Sequence, residues 1–242
     1  MLKLNCDIGE SFGIWKLGED EKIMPLIDMA NIACGFHASD PLNMTKTILL
    51  AKRFNVEIGA HPSYQDLVGF GRRSIPYSKD ELKAIILYQI GALRAIANAN
   101  GVDISYIKPH GALYNDMIKS LDIFMAINEA IYSYDKNLSL MILSTSKNSE
   151  FERISKVKLI FEAFADRAYS SDGFLVSRSK KGSVIKDKNE VIKRVRDLVK
   201  RGVIYDINNK ELKLKVDSLC VHGDNEEALS LVKAIKDVLD EI

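Results

Sequence analysis

What most constrains this 242-residue chain is a rhythm. A short apolar, β-branched run is followed by a polar turn and then a longer segment of helical period, and the unit recurs along the whole sequence. The runs that read as strands are Lys3–Ile8, Met29–Cys34, Val56–His61, Ser105–Lys108, Leu138–Leu143, Lys158–Phe164 and Ser218–His222. Helical stretches lie at Asp40–Asn55, Ser78–Asn100, Ser120–Tyr134, Asp187–Arg201 and Asn225–Ile242. Two of them carry explicit start signals. Asp40-Pro41 sets a cap before a proline at the first helical position, and Ser78-Lys-Asp-Glu81 reads as a capping box.

Strands alternating with helices imply parallel strands joined by crossovers. Seven such units point to an α/β fold: a seven-stranded β/α barrel, incomplete or distorted, with one domain over residues 1–242. An open doubly wound sheet is the alternative. Only Val203–Val216 breaks the rhythm. Its Asn208-Asn209 pair between alternating segments reads as a hairpin with a tight turn, an excursion before the last strand.

Composition narrows the function classes. With 34 Lys+Arg against 33 Asp+Glu, the net charge is +1, which argues against nucleic acid as a partner. No apolar run approaches the roughly 20 residues of a membrane span. The N-terminus lacks the apolar core of a signal peptide. Cys6, Cys34 and Cys220 are too few and too scattered for a disulfide framework. A cytoplasmic protein with reduced thiols is expected, with Cys6 and Cys220 in the strand core and Cys34 small and buried rather than nucleophilic.

Polar residues fall within the strands in a pattern. Side chains two apart share a face, which pairs Asn5 with Asp7, Glu57 with His61, Lys108 with His110, Glu162 with Asp166 and His222 with Asp224. Each pair reads as lying at or beyond the C-terminal half of its strand. The opposite faces carry Leu4, Val56, Ile58, Ile107, Phe161 and Val221, suited to packing against helices. Charges inside a barrel are costly unless paired or functional, and the C-terminal mouth is where a parallel barrel places its active site. All four histidines, His37, His61, His110 and His222, lie on or just after these strands.

The same segments carry a resemblance. Asn5-Cys-Asp7-Ile-Gly-Glu10, Asn31-Ile-Ala-Cys-Gly-Phe-His37-Ala-Ser-Asp40-Pro and Gly59-Ala-His61-Pro-Ser-Tyr64-Gln-Asp66 are three of seven blocks. The others are Gly69-Phe-Gly-Arg72-Arg73, Lys108-Pro-His110-Gly-Ala-Leu-Tyr114-Asn115, Glu162-Ala-Phe-Ala-Asp166-Arg167-Ala-Tyr169 and Cys220-Val-His222-Gly-Asp224-Asn225. In this order they resemble the LamB/YcsF family over essentially the whole chain. The departures are Ser39, where the family usually has glycine, and Ser177 before Arg178, where it usually has proline. The resemblance implies a barrel of the glycoside hydrolase/deacetylase kind. It also implies ATP-dependent opening of the 5-oxo-L-proline lactam to L-glutamate, with the chain as the A component of a 5-oxoprolinase that works with subunits B and C.

Such chemistry needs cations for developing oxyanion and phosphate charge, and carboxylates or imidazoles to move protons. Lys108 is the expected electrophilic stabiliser, with a buried salt bridge to Asp7 or Glu162 as its structural alternative. Asp7, Glu10, His61, His110, Glu162 and Asp166 are the other candidate catalytic groups. Asn5, Asn31, His37, Arg72, Arg73, Tyr114, Arg167, His222 and Asp224 are candidate substrate contacts. No G-x-x-x-x-G-K-[S/T] occurs, which leaves ATP to a partner subunit or to this barrel without a standard cradle. Asp7, His37 and His61, joined by His110 or His222, have the ligand types of a divalent metal site. A metal-dependent amidase or deacetylase, and a non-catalytic substrate carrier, are therefore the competing readings.

Overall fold

The computed structural model describes residues 2–177, 180–221 and 226–241. His222, Asp224 and Arg178 lie outside the described residues. The described residues form nine strands, β1 (Lys3–Ile8), β2 (Met29–Ala33), β3 (Glu57–His61), β4 (Tyr106–Ile107), β5 (Ser139–Leu143), β6 (Leu159–Phe164), β7 (Val203–Tyr205), β8 (Glu211–Lys213) and β9 (Ser218–Cys220). Seven of them close a parallel barrel in the order β1-β2-β3-β4-β5-β6-β9. Closure is by β9, where Cys220 is in register with Asn5 on one side and Phe164 on the other. The expected barrel is thus present, and the open sheet is not.

Helices form where the sequence supplies caps. The Asp40 carboxylate accepts from the backbone of Leu42 and Asn43 to start α2 (Pro41–Phe54). Ser78 and Glu81 make a reciprocal capping box for α3 (Lys79–Ala99). Asp187 caps α7 (Lys188–Arg201), which Gly202 ends. Ser39 sits at φ 73°, a left-handed conformation that accounts for a glycine preference there. Three short helices, α1 (Asp20–Ile23), α4 (Gly111–Lys119) and α6 (Asn148–Ile154), go unread in the sequence because none has a side-chain cap. Between α4 and α6 lies α5 (Leu121–Tyr134), and α8 (Glu226–Asp240) follows the barrel.

Inside the barrel the layers differ. At the base, Met29, Tyr106 and Met141 form a separate buried apolar cluster with Ile160 packed on it. The Tyr106 ring lies against Gly59, where an added Cβ would come within 2.2 Å of the ring. Outward strand residues such as Leu4, Ile58, Ile107, Phe161 and Val221 join the larger core under the helices. The layer above the base is polar.

Two expectations are corrected and one is extended. Glu57 opens β3 at the far end of the barrel, paired with Lys3 and with the Ser105 hydroxyl (2.7 Å). It shares a face with His61, but four residues of strand, about 13 Å, separate them. Cys220 is buried in the core as expected, but its Sγ also lies 3.2 Å from Lys108 Nζ inside the barrel, a polar contact the strand-core reading did not include. The antiparallel hairpin of β7 and β8 is joined by residues 206–210, not by a two-residue turn. The buried Asp206 carboxylate organises that loop by accepting from Asn208 and Lys210 N–H.

The turn after β1 is held by Asp20, whose carboxylate accepts the Gly9 N–H at 3.0 Å. Burial pushes the Asp20 carboxyl up to about 6. Its folded-state pKa lies above the unfolded value, so its contribution to stability is full below about pH 4 and is lost as pH rises through about 6. Asp20→Asn is therefore expected to gain on the wild type, on the order of 2 kcal/mol, between pH 4 and 7, read by denaturant unfolding at each pH. Gly59→Ala is expected to destabilise by about 1–3 kcal/mol in the same assay at pH 7, because the Tyr106 ring must move.

Candidate active site

At the C-terminal mouth lies a cavity of about 510 Å³. Asp7, His61, Lys108 and His110 line its inner part, and Leu143 and Phe164 form an apolar wall. Past β6, the chain doubles back through isolated bridges Arg167–Val184 and Tyr169–Leu175. This brings Phe174 and Val176 to the rim.

Lys108 is 2% exposed and its ammonium is bracketed by carboxylates. Nζ lies 3.0 Å from Glu162 Oε2 and 3.1 Å from Asp7 Oδ1, and donates to Asn5 Oδ1 at 3.1 Å. Burial alone would lower its pKa. The Asp7 and Glu162 charges outweigh that and hold it well above the usual lysine range. The supporting amides are themselves pinned. Asn31 donates to Asn5 Oδ1 and Asp7 Oδ1, both at 2.8 Å, and accepts from the Tyr106 hydroxyl at 2.7 Å. Asn5 donates to Ser218 Oγ at 2.7 Å. Period-two spacing places Tyr106 beneath Lys108 and Ser218 beneath Cys220 on inward faces, a signal that could have found both.

Beside this network stand three imidazoles. His61 Nδ1 donates to the Lys108 carbonyl (2.6 Å), and His110 Nε2 donates to the Phe70 carbonyl (2.9 Å). The remaining nitrogens, His61 Nε2 and His110 Nδ1, face each other at 2.9 Å. His37 stacks on His110 with centroids 3.7 Å apart and planes 4° from parallel. Burial lowers the pKa of His37 and of His110 well below the usual range, and the neighbouring imidazoles add to the effect. Glu10 Oε1 is 3.5 Å from His37 Nε2.

Residues 69–73 fold over these rings. Gly71 leaves no room for a side chain, since an added Cβ would meet His110 at 2.8 Å and His37 at 2.9 Å. The Gly71 carbonyl accepts the Ala112 N–H at 2.9 Å, which ties the loop to the start of α4. Its glycines weakly suggest a phosphate loop, but the structure uses the run as a cover.

The structure sorts the sequence candidates. Asp7, Glu10, His61, Lys108, His110, Arg72, Tyr114 and Arg167 line the cavity. Asn5, Asn31, His37 and Glu162 do not line it; they are buried beside or beneath it. Asp166 lies past β6 outside the lining, with its carbonyl accepting from Ile185 N–H. Arg73 is drawn away by Asp66, the carboxylate that also caps Gly69 N–H at 2.9 Å. Arg167 donates to the carbonyls of Val176 (2.7 Å) and Ser183 (3.2 Å), so it braces the rim. Arg72 is exposed at the cavity edge, and among the described residues no carboxylate lies within ion-pair distance of it. Asn115, Lys119 and Phe164 also line the cavity, and sequence reasoning did not place them among the site residues. Asn115 and Lys119 sit on α4, which the sequence does not announce.

Comparisons with known proteins show the family and the fold. The LamB/YcsF family model matches residues 2–242. A Vibrio vulnificus protein that bears the name of the 5-oxoprolinase A component is 51% identical over 239 residues, covering 98% of this chain and 96% of that one. A Pyrococcus abyssi protein of the same name is 51% identical, covering 98% and 93%. The crystal structure of a lactam utilization protein from Thermus thermophilus superposes with a TM-score of 0.93 at 38% identity, over 99% of this chain and 96% of that one. This chain belongs to the LamB/YcsF family.

Proposed function

We propose that this chain is the lactam-opening component of an ATP-dependent 5-oxoprolinase, converting 5-oxo-L-proline to L-glutamate together with subunits B and C. The observation that carries the reading is the buried Lys108 ammonium at the inner end of a cavity sized for a small molecule, beside the partly open carboxylate of Asp7. The names of the relatives support a lactam substrate and further subunits.

Amide resonance blunts the lactam carbonyl, and the five-membered ring recloses readily. Transfer of the γ-phosphoryl group of ATP to the lactam oxygen, with release of ADP, removes that resonance; water can then add to the carbon and the ring nitrogen leave, protonated, as the amine of γ-glutamyl phosphate, and hydrolysis of that acyl phosphate by a second water gives L-glutamate and inorganic phosphate. The first water addition has residues here. Lys108, held protonated by Asp7 and Glu162, stabilises negative charge on the lactam oxygen without reorganising. Asp7 is the more open of its two partners, with its side chain 15% exposed, and is placed to take a proton from water. Arg72 suits the substrate carboxylate, which a guanidinium binds through two parallel hydrogen bonds. Phe164 and Leu143 pack the ring methylenes. His61 and His110 have no ring N–H directed into the cavity, since backbone carbonyls and their mutual contact occupy them, so the proton-carrier role expected of them passes to Asp7.

The described residues include no helix long and apolar enough to cross a membrane. The Glu10–imidazole group favours a second reading, a metal-dependent amidase, because its donor types fit a divalent ion that would polarise a carbonyl or activate water. ATP dependence separates the two.

The assay is 5-oxoproline-dependent ADP release by the chain with subunits B and C. Lys108→Met, checked for folding by circular dichroism, is expected to lower kcat by about 100- to 1,000-fold. Turnover without ATP would overturn the reading, as would a Lys108→Met protein of undiminished kcat. Arg72→Ala is expected to raise the 5-oxoproline KM by tenfold or more, at roughly 1.4 kcal/mol per tenfold, with a smaller effect on kcat.

A further inference from the structure

We propose that the Tyr114 hydroxyl, oriented by Glu162, accepts the ring N–H of the substrate and makes the site specific for a lactam over a lactone. This role presupposes the lactam-opening reading above and names the group that tells ring nitrogen from ring oxygen. Tyr114 is 4% exposed and lines the cavity, and its hydroxyl completes no regular hydrogen bond among the described residues. Glu162 is fully buried. Its Oε2 lies 3.0 Å from Lys108 Nζ and accepts from Asn5 Nδ2 at 3.3 Å, while Oε1 is left, like the hydroxyl, without a regular partner. Buried polar atoms in that state are costly, and a ligand that satisfies them recovers the cost.

Both atoms stand at the inner end of the cavity, beside the cation. Lys108 Nζ sits 5.3 Å over the Phe164 ring, and the Tyr114 ring meets the same Phe164 edge-on, with centroids 6.3 Å apart and planes at 79°. Burial first, and the Glu162 charge second, push the Tyr114 phenol well above its usual range, so it stays protonated. A neutral phenol has one proton to give and lone pairs to receive, whereas a carboxylate only accepts. With Glu162 as its neighbour, the phenol directs its proton there and turns a lone pair toward the cavity. A lactam needs that partner. The five-membered ring holds its amide cis, which puts the carbonyl oxygen and the N–H on one edge. With the oxygen on Lys108 Nζ, the N–H beside it requires an acceptor. Asp7 Oδ1 is taken by Lys108 and Asn31, and Glu162 does not line the cavity, so its carboxylate reaches the ring only through Tyr114. Glu162 is therefore a positioning residue and Tyr114 the contact. A lactone offers no proton there, and its ring oxygen meets the tyrosine lone pair with another.

The test is calorimetric titration of the full chain, without ATP, with 5-oxo-L-proline and with the γ-lactone of 2-hydroxyglutarate, in which oxygen replaces the ring N–H. The wild type is expected to bind the lactam at least about tenfold more tightly than the lactone. Tyr114→Phe, confirmed folded by circular dichroism, keeps the ring against Phe164. It is expected to weaken lactam binding at least about tenfold and lactone binding less than about threefold. Equal affinity of the wild type for the two ligands would overturn the proposal, and this comparison needs no variant. So would equal losses of both ligands in Tyr114→Phe, the mark of mere packing, or no loss of either. Each of these outcomes leaves the lactam-opening reading standing. A wild type that binds no 5-oxo-L-proline would overturn both.

Discussion

A lysine with almost no solvent contact, inside a closed sheet, is the constraint around which this molecule is arranged. An isolated ammonium there would cost several kcal/mol. Lys108 is tolerated because β1 supplies Asp7 and Asn5 and β6 supplies Glu162, all within 3.1 Å. Those strands are far apart in the chain, and only closure through β9 brings them together. Register matters as much as closure. A slip of one residue would turn Lys108 and Glu162 out toward the helices and turn Ile107 and Phe161 in. Breaking one arm of such a buried ion triad typically costs about 3–5 kcal/mol. The apolar base of Met29, Tyr106 and Met141 and the large core beneath the helices supply the stability that this polar layer consumes.

Two chemical environments share one mouth. On the Lys108 side, a fixed cation stands next to carboxylates and an apolar wall, suited to an amide oxygen and a small ring. On the other side, imidazoles lie under the 69–73 loop with their outer nitrogens fixed by backbone carbonyls. Asp7 joins the two halves: Oδ1 meets Lys108 at 3.1 Å and Oδ2 lies 3.5 Å from His61 Nε2. A change of charge on either side is therefore felt at the carboxylate to which we assign proton transfer.

Much of this is legible in the residues alone. The strand rhythm implies the barrel, and period-two spacing places Asn5 with Asp7 and points Lys108 and Glu162 inward. What escapes has physical causes. Periodicity reports a face and not a height, so Glu57 groups with His61 although it sits at the opposite end of the barrel. Small thiols read as core, and Cys220 becomes a neighbour of Lys108 only because β9 presents it inward. Arg72 and Arg73 are adjacent and chemically alike, and only the position of Asp66 decides that one faces the cavity and the other is bound. The helix bearing Asn115 and Lys119 has no cap residue to announce it, because tertiary contact with Gly71 starts it.

The claim at the centre is that Lys108 Nζ meets the lactam oxygen while Arg72 holds the carboxylate of the same molecule. A crystal structure of the chain with 5-oxo-L-proline measures this directly. The account predicts the lactam oxygen within hydrogen-bond distance of Lys108 Nζ, the ring against Phe164 and the carboxylate on the Arg72 guanidinium. A ligand seated elsewhere, or turned so that its carboxylate takes Lys108 and its lactam oxygen faces solvent, would contradict it.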